Sequence, residues 1–312
     1  MLQKRDHGGG LDAAAVRHGG TRSDWIDLST GINPVPYPVP TVATDAWTAL
    51  PDAAASARLV AAARHFWDVP ASADILATPG ASAVIAQIPR LAKPGAVRIQ
   101  TPTYNEHAAS FAHHGWQVCA SGPADACVVV HPNNPDGRMW ASADIDTTLA
   151  IIDESFCDVA EQDSLMTLAA RPGTLVLKSF GKFWGLAGLR LGFVIGDPAL
   201  IARLADMLGP WPVSGVALEV GATALEDAGW ADATRTRLAT DAERLDALMA
   251  HRGANIVGGT TLFRLYDVDD AQAWQDRLAQ HHIWSRVFPY STRWLRLGLP
   301  HPKDWARVEA AL

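Results

Sequence analysis

The most regular feature of the chain begins at Asp74. Short apolar runs there alternate with amphipathic segments: DILAT (74–78), a helical pattern over Ala81–Leu91, AVRIQ (96–100), a helix over Asn105–His114 and WQVCA (116–120). ACVVVH (126–131), LAIID (149–153), TLVLKS (174–179) and LRLGFVIG (189–196) continue the series. Short, continuous apolar runs with helices between them predict a parallel sheet covered on both faces. Upstream, helical patterns lie at Asp45–Leu50 and Ala57–Trp67. The first forty residues, rich in Gly and Pro and ending in NPVPYPVP, predict an extended arm that supplies no core element. Downstream of GPWPVSG come a helix over Val216–Asp227 and a longer one over Ala231–His251, with Leu238, Leu245, Leu248 and Met249 on one face. The last third reads strand, helix, strand, strand, helix in TLFRLY, AQAWQDRLAQHH, IWSRVF, WLRLGL and KDWARVEAAL, an α+β lobe.

Composition narrows the class. With 312 residues the chain is long enough for two lobes, and 48% hydrophobic with 19% charged residues describes an ordinary folded protein. A net charge of −7 argues against a nucleic-acid or anionic-membrane partner. Cys119, Cys127 and Cys157 are odd in number and far apart, which predicts reduced thiols and neither a disulfide framework nor a zinc site. The opening MLQKRDHGGG has no apolar signal-like region, and no uncharged run is long enough to span a bilayer, so a cytoplasmic setting is expected. No histidine pair has HExxH spacing, and no metal is expected.

Candidate chemistry sits at the strand ends, where an open α/β sheet binds its ligand. In TPGASAV, Gly80 allows a tight turn and the amides of Ala81 and Ser82 open a helix, a seat for phosphate. HPNNPDG places Asn134 after the fourth apolar run, ACVVVH. Asp153 ends LAIID, where a carboxylate is costly unless a cation or hydrogen bonds meet it. SFGKFWGLAGLRLGF then supplies Ser179, Lys182 and Arg190. Lysine is scarce: only Lys4, Lys93, Lys178, Lys182 and Lys303 occur, and an amine, unlike a guanidinium, can lose its proton. A phosphate cradle, an amide, a buried carboxylate and a lysine in this order describe a pyridoxal 5'-phosphate pocket. Lys182 would carry the cofactor, Asp153 would keep the pyridine nitrogen protonated, and Ser179 and Arg190 would close on the phosphate. Lys178 competes with Lys182, but it lies within the strand and lacks a serine three residues before it.

The NPDG, DESF and SFGKFWGLAGLRLGF blocks, in order, resemble the fold-type I, class I/II aminotransferase-like enzymes that depend on pyridoxal 5'-phosphate. HGG at 7–9, DLSTGINP at 27–34, PTY at 102–104 and GPWPVS at 209–214 are similar to the branch of threonine-phosphate decarboxylases of cobalamin biosynthesis, over nearly the whole chain. The resemblance implies an α/β fold with a large domain, its mainly parallel sheet covered by helices, and a smaller α+β domain. It divides the chain into an arm (1–40), an N-terminal part of the small domain (41–70), a cofactor domain (71–210) and a C-terminal small domain (211–312). It implies that Tyr104 stacks on the cofactor ring and that Asn134 contacts the ring hydroxyl and the substrate carboxylate. Arg296 would grip that carboxylate, while Arg286 and the His7–Gly8 arm would hold a small phosphorylated amino acid. A homodimer is implied as well. Leu50 stands where many relatives have a tyrosine reaching the neighbouring subunit's cofactor phosphate, and Gly31 replaces an asparagine expected at the substrate. Phe156 stands where most aminotransferases have tyrosine, a departure that favours decarboxylation. The activity implied is decarboxylation of L-threonine O-3-phosphate to (R)-1-amino-2-propanol O-2-phosphate. A histidinol-phosphate-type aminotransferase and a non-catalytic cofactor-binding protein are the alternatives.

Overall fold

The computed structural model describes residues 7–312. In chain order the elements are α1 (Leu11–His18), β1 (Ile26–Asp27), α2 (Asp45–Thr48), α3 (Ala53–Phe66), β2 (Asp74–Thr78), α4 (Ala81–Ile85), β3 (Ala96–Ile99) and α5 (Asn105–His113). There follow β4 (Gln117–Cys119), β5 (Ala126–Val130), β6 (Leu149–Asp153), β7 (Thr174–Ser179), β8 (Gly192–Gly196), α6 (Pro198–Leu208), α7 (Gly215–Leu225) and α8 (Ala228–His251). The chain ends with β9 (Asn255–Thr260), β10 (Phe263–Asp267), α9 (Ala271–Gln280), β11 (Ile283–Trp284), β12 (Arg286–Phe288), β13 (Ser291–Gly298) and α10 (Trp305–Ala311).

Two compact units result, a larger one of residues 36–134 and 138–232 and a smaller one of the described residues up to Val35 with 135–137 and 233–312. The larger unit holds a seven-stranded sheet in the order β2-β8-β7-β6-β5-β3-β4. Its strands run parallel except β8, which is antiparallel to both neighbours. Strands β5, β6 and β7 read as unbroken apolar runs because both of their faces are buried. On one face Val97, Ile99, Val128, Ile151, Leu175 and Leu177 pack with Val84, Phe111 and Leu204 of the covering helices. The expected helix over Ala81–Leu91 stops at Ile85 and resumes as a 3-10 turn over Ile88–Leu91, because Pro89 has no N–H to donate.

The units cut across the expected boundaries. Residues 41–70 and 211–232 belong to the unit of the large sheet, because Leu59 of α3 packs against Gly221 of α7 and Arg58 pairs with Glu226. The arm also differs from the expected extended segment. Leu11 and Ala14 of α1 pack with Trp25, Trp284 and Ala279, and Ile26 and Asp27 pair in parallel with Ile283 and Trp284. The smaller unit also holds a four-stranded sheet, β12-β13-β10-β9, with antiparallel pairing throughout, together with most of α8 and all of α9 and α10.

Candidate active site

The carboxyl ends of β5, β6 and β7 deliver Asn134, Asp153 and Ser179 to one cleft, as parallel strands must. The cleft is also lined by Ala81, Ser82, Tyr104, Phe156, Lys182 and Arg190. Gly80 precedes this wall with φ 81°, and a Cβ there would stand 2.5 Å from Nη2 of Arg190. The positive φ therefore favours glycine here, and an added Cβ would push the Arg190 guanidinium aside. Arg190, itself left-handed at φ 53°, donates to the Ala187 carbonyl at 3.0 Å and to Oγ of Ser82 at 3.2 Å. These bonds fix a cation beside the Gly80–Ser82 turn.

Asp153 is buried. Its Oδ2 lies 2.8 Å from Nε2 of His107, and its Oδ1 accepts from the Ser155 amide at 3.0 Å and the Ser155 hydroxyl at 2.5 Å. Burial works to raise its pKa, but the histidine and the two serine donors outweigh it and hold the carboxyl below its ordinary value. His107 did not emerge from the sequence reading. The signal was its place three residues after Tyr104, one turn into α5, where the two rings meet edge-on at 6.0 Å. Asn133 was missed too: Thr103 donates to it at 2.7 Å and it donates to the Pro102 carbonyl at 3.0 Å, tying the Asn134 turn to the Tyr104 segment.

The two candidate lysines separate completely. Lys182 lines the cleft, with Nζ 5.2 Å from the centre of the Phe156 ring. Lys178 is buried, 2.7 Å from Glu154 and 3.1 Å from Asp158. Burial would lower its pKa, but the two carboxylates reverse the effect and hold it above the ordinary lysine range, so it stays an ammonium. His131, Glu154 and Cys157 bring potential metal ligands within 4.8 Å of one another. Their lone pairs and protons are already committed. Glu154 accepts from Lys178, Ser164 and Leu165, and His131 engages the Asp163 carbonyl and the Trp140 amide.

The remaining expected site residues gather in the smaller unit. Arg286 and Arg296 are direct cross-strand neighbours on β12 and β13. Arg286 donates to the His7 carbonyl at 2.6 Å, and Arg296 donates to the Ser29 carbonyl at 2.6 Å. The Gly9 amide donates to Oγ of Ser29 at 2.7 Å, and Trp284 donates to the Gly9 carbonyl at 3.2 Å. A Cβ on Gly8 would lie 2.4 Å from the Ser29 carbonyl oxygen, so only glycine allows this approach. Gly31 is buried in the same Ser29–Asn33 segment. Burial, and then the charge of Arg286, push the Arg296 pKa down to about 10. Like charges opposite each other in a sheet repel, so this pair suits an anion. Leu50 is exposed between α2 and α3.

The family model for class I and II aminotransferases matches residues 119–310, more than half of the chain. The chain belongs to the class I and II aminotransferase family. A threonine-phosphate decarboxylase from Sinorhizobium sp is 40% identical over 94% of this chain and 92% of its own length. Another from Pseudomonas aeruginosa is 38% identical over 98% of this chain and 97% of its own. Among solved structures, the histidinol-phosphate aminotransferase from Sinorhizobium meliloti in complex with pyridoxal-5'-phosphate superposes with a TM-score of 0.79 at 20% identity, covering 97% of this chain and 93% of that one. This last likeness is one of fold. The family member described here offers a glycine-lined cradle with a fixed arginine, an ionised buried carboxylate and one lysine in the cleft, and this donor set fits pyridoxal 5'-phosphate.

Proposed function

We propose that this aminotransferase-family chain decarboxylates L-threonine O-3-phosphate to (R)-1-amino-2-propanol O-2-phosphate and CO2, with pyridoxal 5'-phosphate as cofactor, as a step toward cobalamin. The observation that carries the reading is the pair of threonine-phosphate decarboxylases at 38% and 40% identity over nearly the whole chain.

When bound, the cofactor supplies an electron sink for the pair released as CO2 departs. The residues do the rest. Lys182 would hold the cofactor through Nζ and, with that amine free, would return a proton to the carbon that lost CO2. Asp153, kept ionised by His107 and Ser155, holds the proton on the pyridine nitrogen. Ser82, Ser179 and Arg190, with the Gly80–Ala81 backbone, would hold the cofactor phosphate, and Tyr104 and Asn134 would hold its ring. Arg296 takes the substrate carboxylate. Arg286, with the His7–Gly8 segment and Gly31, takes the substrate phosphate. Anchoring the remote phosphate turns the carboxylate into the position of the bond that breaks.

A homodimer in a reducing cytoplasm completes the reading. It is supported by the exposed Trp47, Leu50 and Trp211, and by three free cysteines. Among the described residues no helix is long and apolar enough to cross a membrane.

The test is to load the purified protein with pyridoxal 5'-phosphate and supply L-threonine phosphate without any 2-oxo acid. Equal amounts of CO2 and a phosphorylated primary amine are expected. Conversion of histidinol phosphate with 2-oxoglutarate, and no CO2 from threonine phosphate, would overturn the proposal.

A further inference from the structure

Behind the cleft, Lys178, Glu154 and Asp158 form an ion cluster in which every member is at most 3% exposed. Strand alternation explains how it arises. Successive side chains point to opposite faces, so where β6 ends Asp153 faces the cleft and Glu154 the back. Where β7 ends, Ser179 faces the cleft and Lys178 the back. The ladder's last bond between these strands runs from the Glu154 amide to the Leu177 carbonyl at 3.0 Å. The Lys178–Glu154 pair, at 2.7 Å, closes the two ends beyond it.

Asp158 extends the link to the lysine turn. Its Oδ1 accepts from Nζ of Lys178 at 3.1 Å and from the Trp67 indole at 3.0 Å, and its Oδ2 accepts from the Trp184 indole at 3.1 Å. Trp184 is also stacked on Phe180 and on Trp230, at centroid separations of 5.2 and 5.3 Å. Lys182 therefore sits on a short span whose two flanks, Phe180 and Trp184, are fixed. Phe156, the ring under Nζ of Lys182, lies in the chain between Glu154 and Asp158, two residues from each.

Buried ion clusters are often no better for stability than apolar side chains of similar volume. What the cluster does supply is a set of short directional bonds joining the segments that carry Asp153, Phe156 and Lys182. We infer that the Lys178–Glu154–Asp158 cluster, with Trp184, is a positioning device that sets the place of Lys182 relative to Asp153 and Phe156. The inference rests on the cofactor reading above.

The experiment compares the loaded wild type with Asp158→Asn, Trp184→Phe, Lys178→Met and Lys178→Arg. Trp184→Phe deletes one indole donor and keeps an aromatic ring in the stack, so it decides the matter if a charge variant does not fold. A misplacement of about 1 Å can cost about 10²-fold in rate. Folded variants should accordingly lose about 10- to 10²-fold in kcat with KM unchanged, since the substrate's anchors lie elsewhere. The induced circular dichroism of the lysine-bound cofactor, which reports ring orientation, should change as well. Lys178→Arg should recover both signals relative to Lys178→Met. Trp184→Phe and Asp158→Asn proteins with wild-type kcat and wild-type cofactor dichroism would overturn the inference. A wild type that forms no lysine-bound absorbance would instead overturn the cofactor reading.

Discussion

Lys178 and Lys182 differ in chemistry because a strand ends between them. Lys178 still obeys strand alternation and is carried to the back of the sheet, where two carboxylates keep it charged. Lys182 lies beyond the strand, in the cleft. Lys182→Ala should therefore abolish the absorbance of lysine-bound cofactor and the borohydride-fixed adduct while the fold survives; peptide mapping of a residual adduct to Lys178 would contradict the assignment. Asp153 is the second residue on which the proposed chemistry turns. Asp153→Asn keeps the shape and loses the charge, and turnover should drop about 10²- to 10⁴-fold, the range for a positioned proton-handling group. The same residue sets a pH dependence. Its folded pKa lies below the unfolded one, so it stabilises the native chain above the ordinary carboxylate value of about 4 and loses that contribution as pH falls through the folded value. The urea midpoints of wild type and Asp153→Asn should differ at neutral pH and converge in acid. A constant gap would mean that Asp153 makes the same bonds when protonated.

At the scale of elements, legibility followed burial. Strands β5, β6 and β7 could be read from the sequence because both faces are covered, and their ends delivered Asn134, Asp153 and Ser179 where the reading placed them. Helix α1 could not, because only Leu11 and Ala14 are buried and Val16 is 90% exposed, leaving too narrow an apolar stripe. Strand β9, NIVGGT, is an edge with exposed Ile256 and Val257 and two glycines, so it carries neither alternation nor a continuous run. The pairing of Arg286 with Arg296 depends on strand register, and the His107–Asp153 bond depends on where α5 docks; neither is local in sequence. The Gly80 turn, by contrast, could be read and can be tested. Gly80→Ala puts a methyl 2.5 Å from the Arg190 guanidinium on a backbone that disfavours L side chains, at a cost of roughly 1 kcal/mol in strain alone. Cofactor affinity, measured by fluorescence titration, should weaken at least about tenfold, the equivalent of about 1.4 kcal/mol. Unchanged affinity would place the phosphate away from this turn.

For the whole molecule the question is which bond at the substrate's α-carbon breaks, and the cofactor residues cannot answer it, because an aminotransferase needs the same set. The answer must come from groups that hold the substrate at a distance. A chain with a net charge of −7 nevertheless brings two arginines together on adjacent strands of its smaller unit and buries one of them to 5% exposure. Like charges facing each other across a sheet repel, and at Arg296 burial and Arg286 outweigh the opposing pull of Tyr290 and Asp27. An anion that joins them relieves the repulsion, so inorganic phosphate should raise the melting temperature of the wild type more than that of Arg286→Ala. In turnover, Arg286→Ala removes a charged anchor of the kind whose loss costs about 2–5 kcal/mol. The expected fall in kcat/KM for threonine phosphate is accordingly about 30-fold or more, while the lysine-bound absorbance stays intact. If remote anchoring also dictates which bond breaks, the weakened enzyme should lose selectivity along with speed, and a larger share of turnovers should end as pyridoxamine phosphate in place of CO2 and amine. Slow turnover with CO2 still stoichiometric would mean that Arg286 supplies binding alone and that the carboxylate is aligned by Arg296.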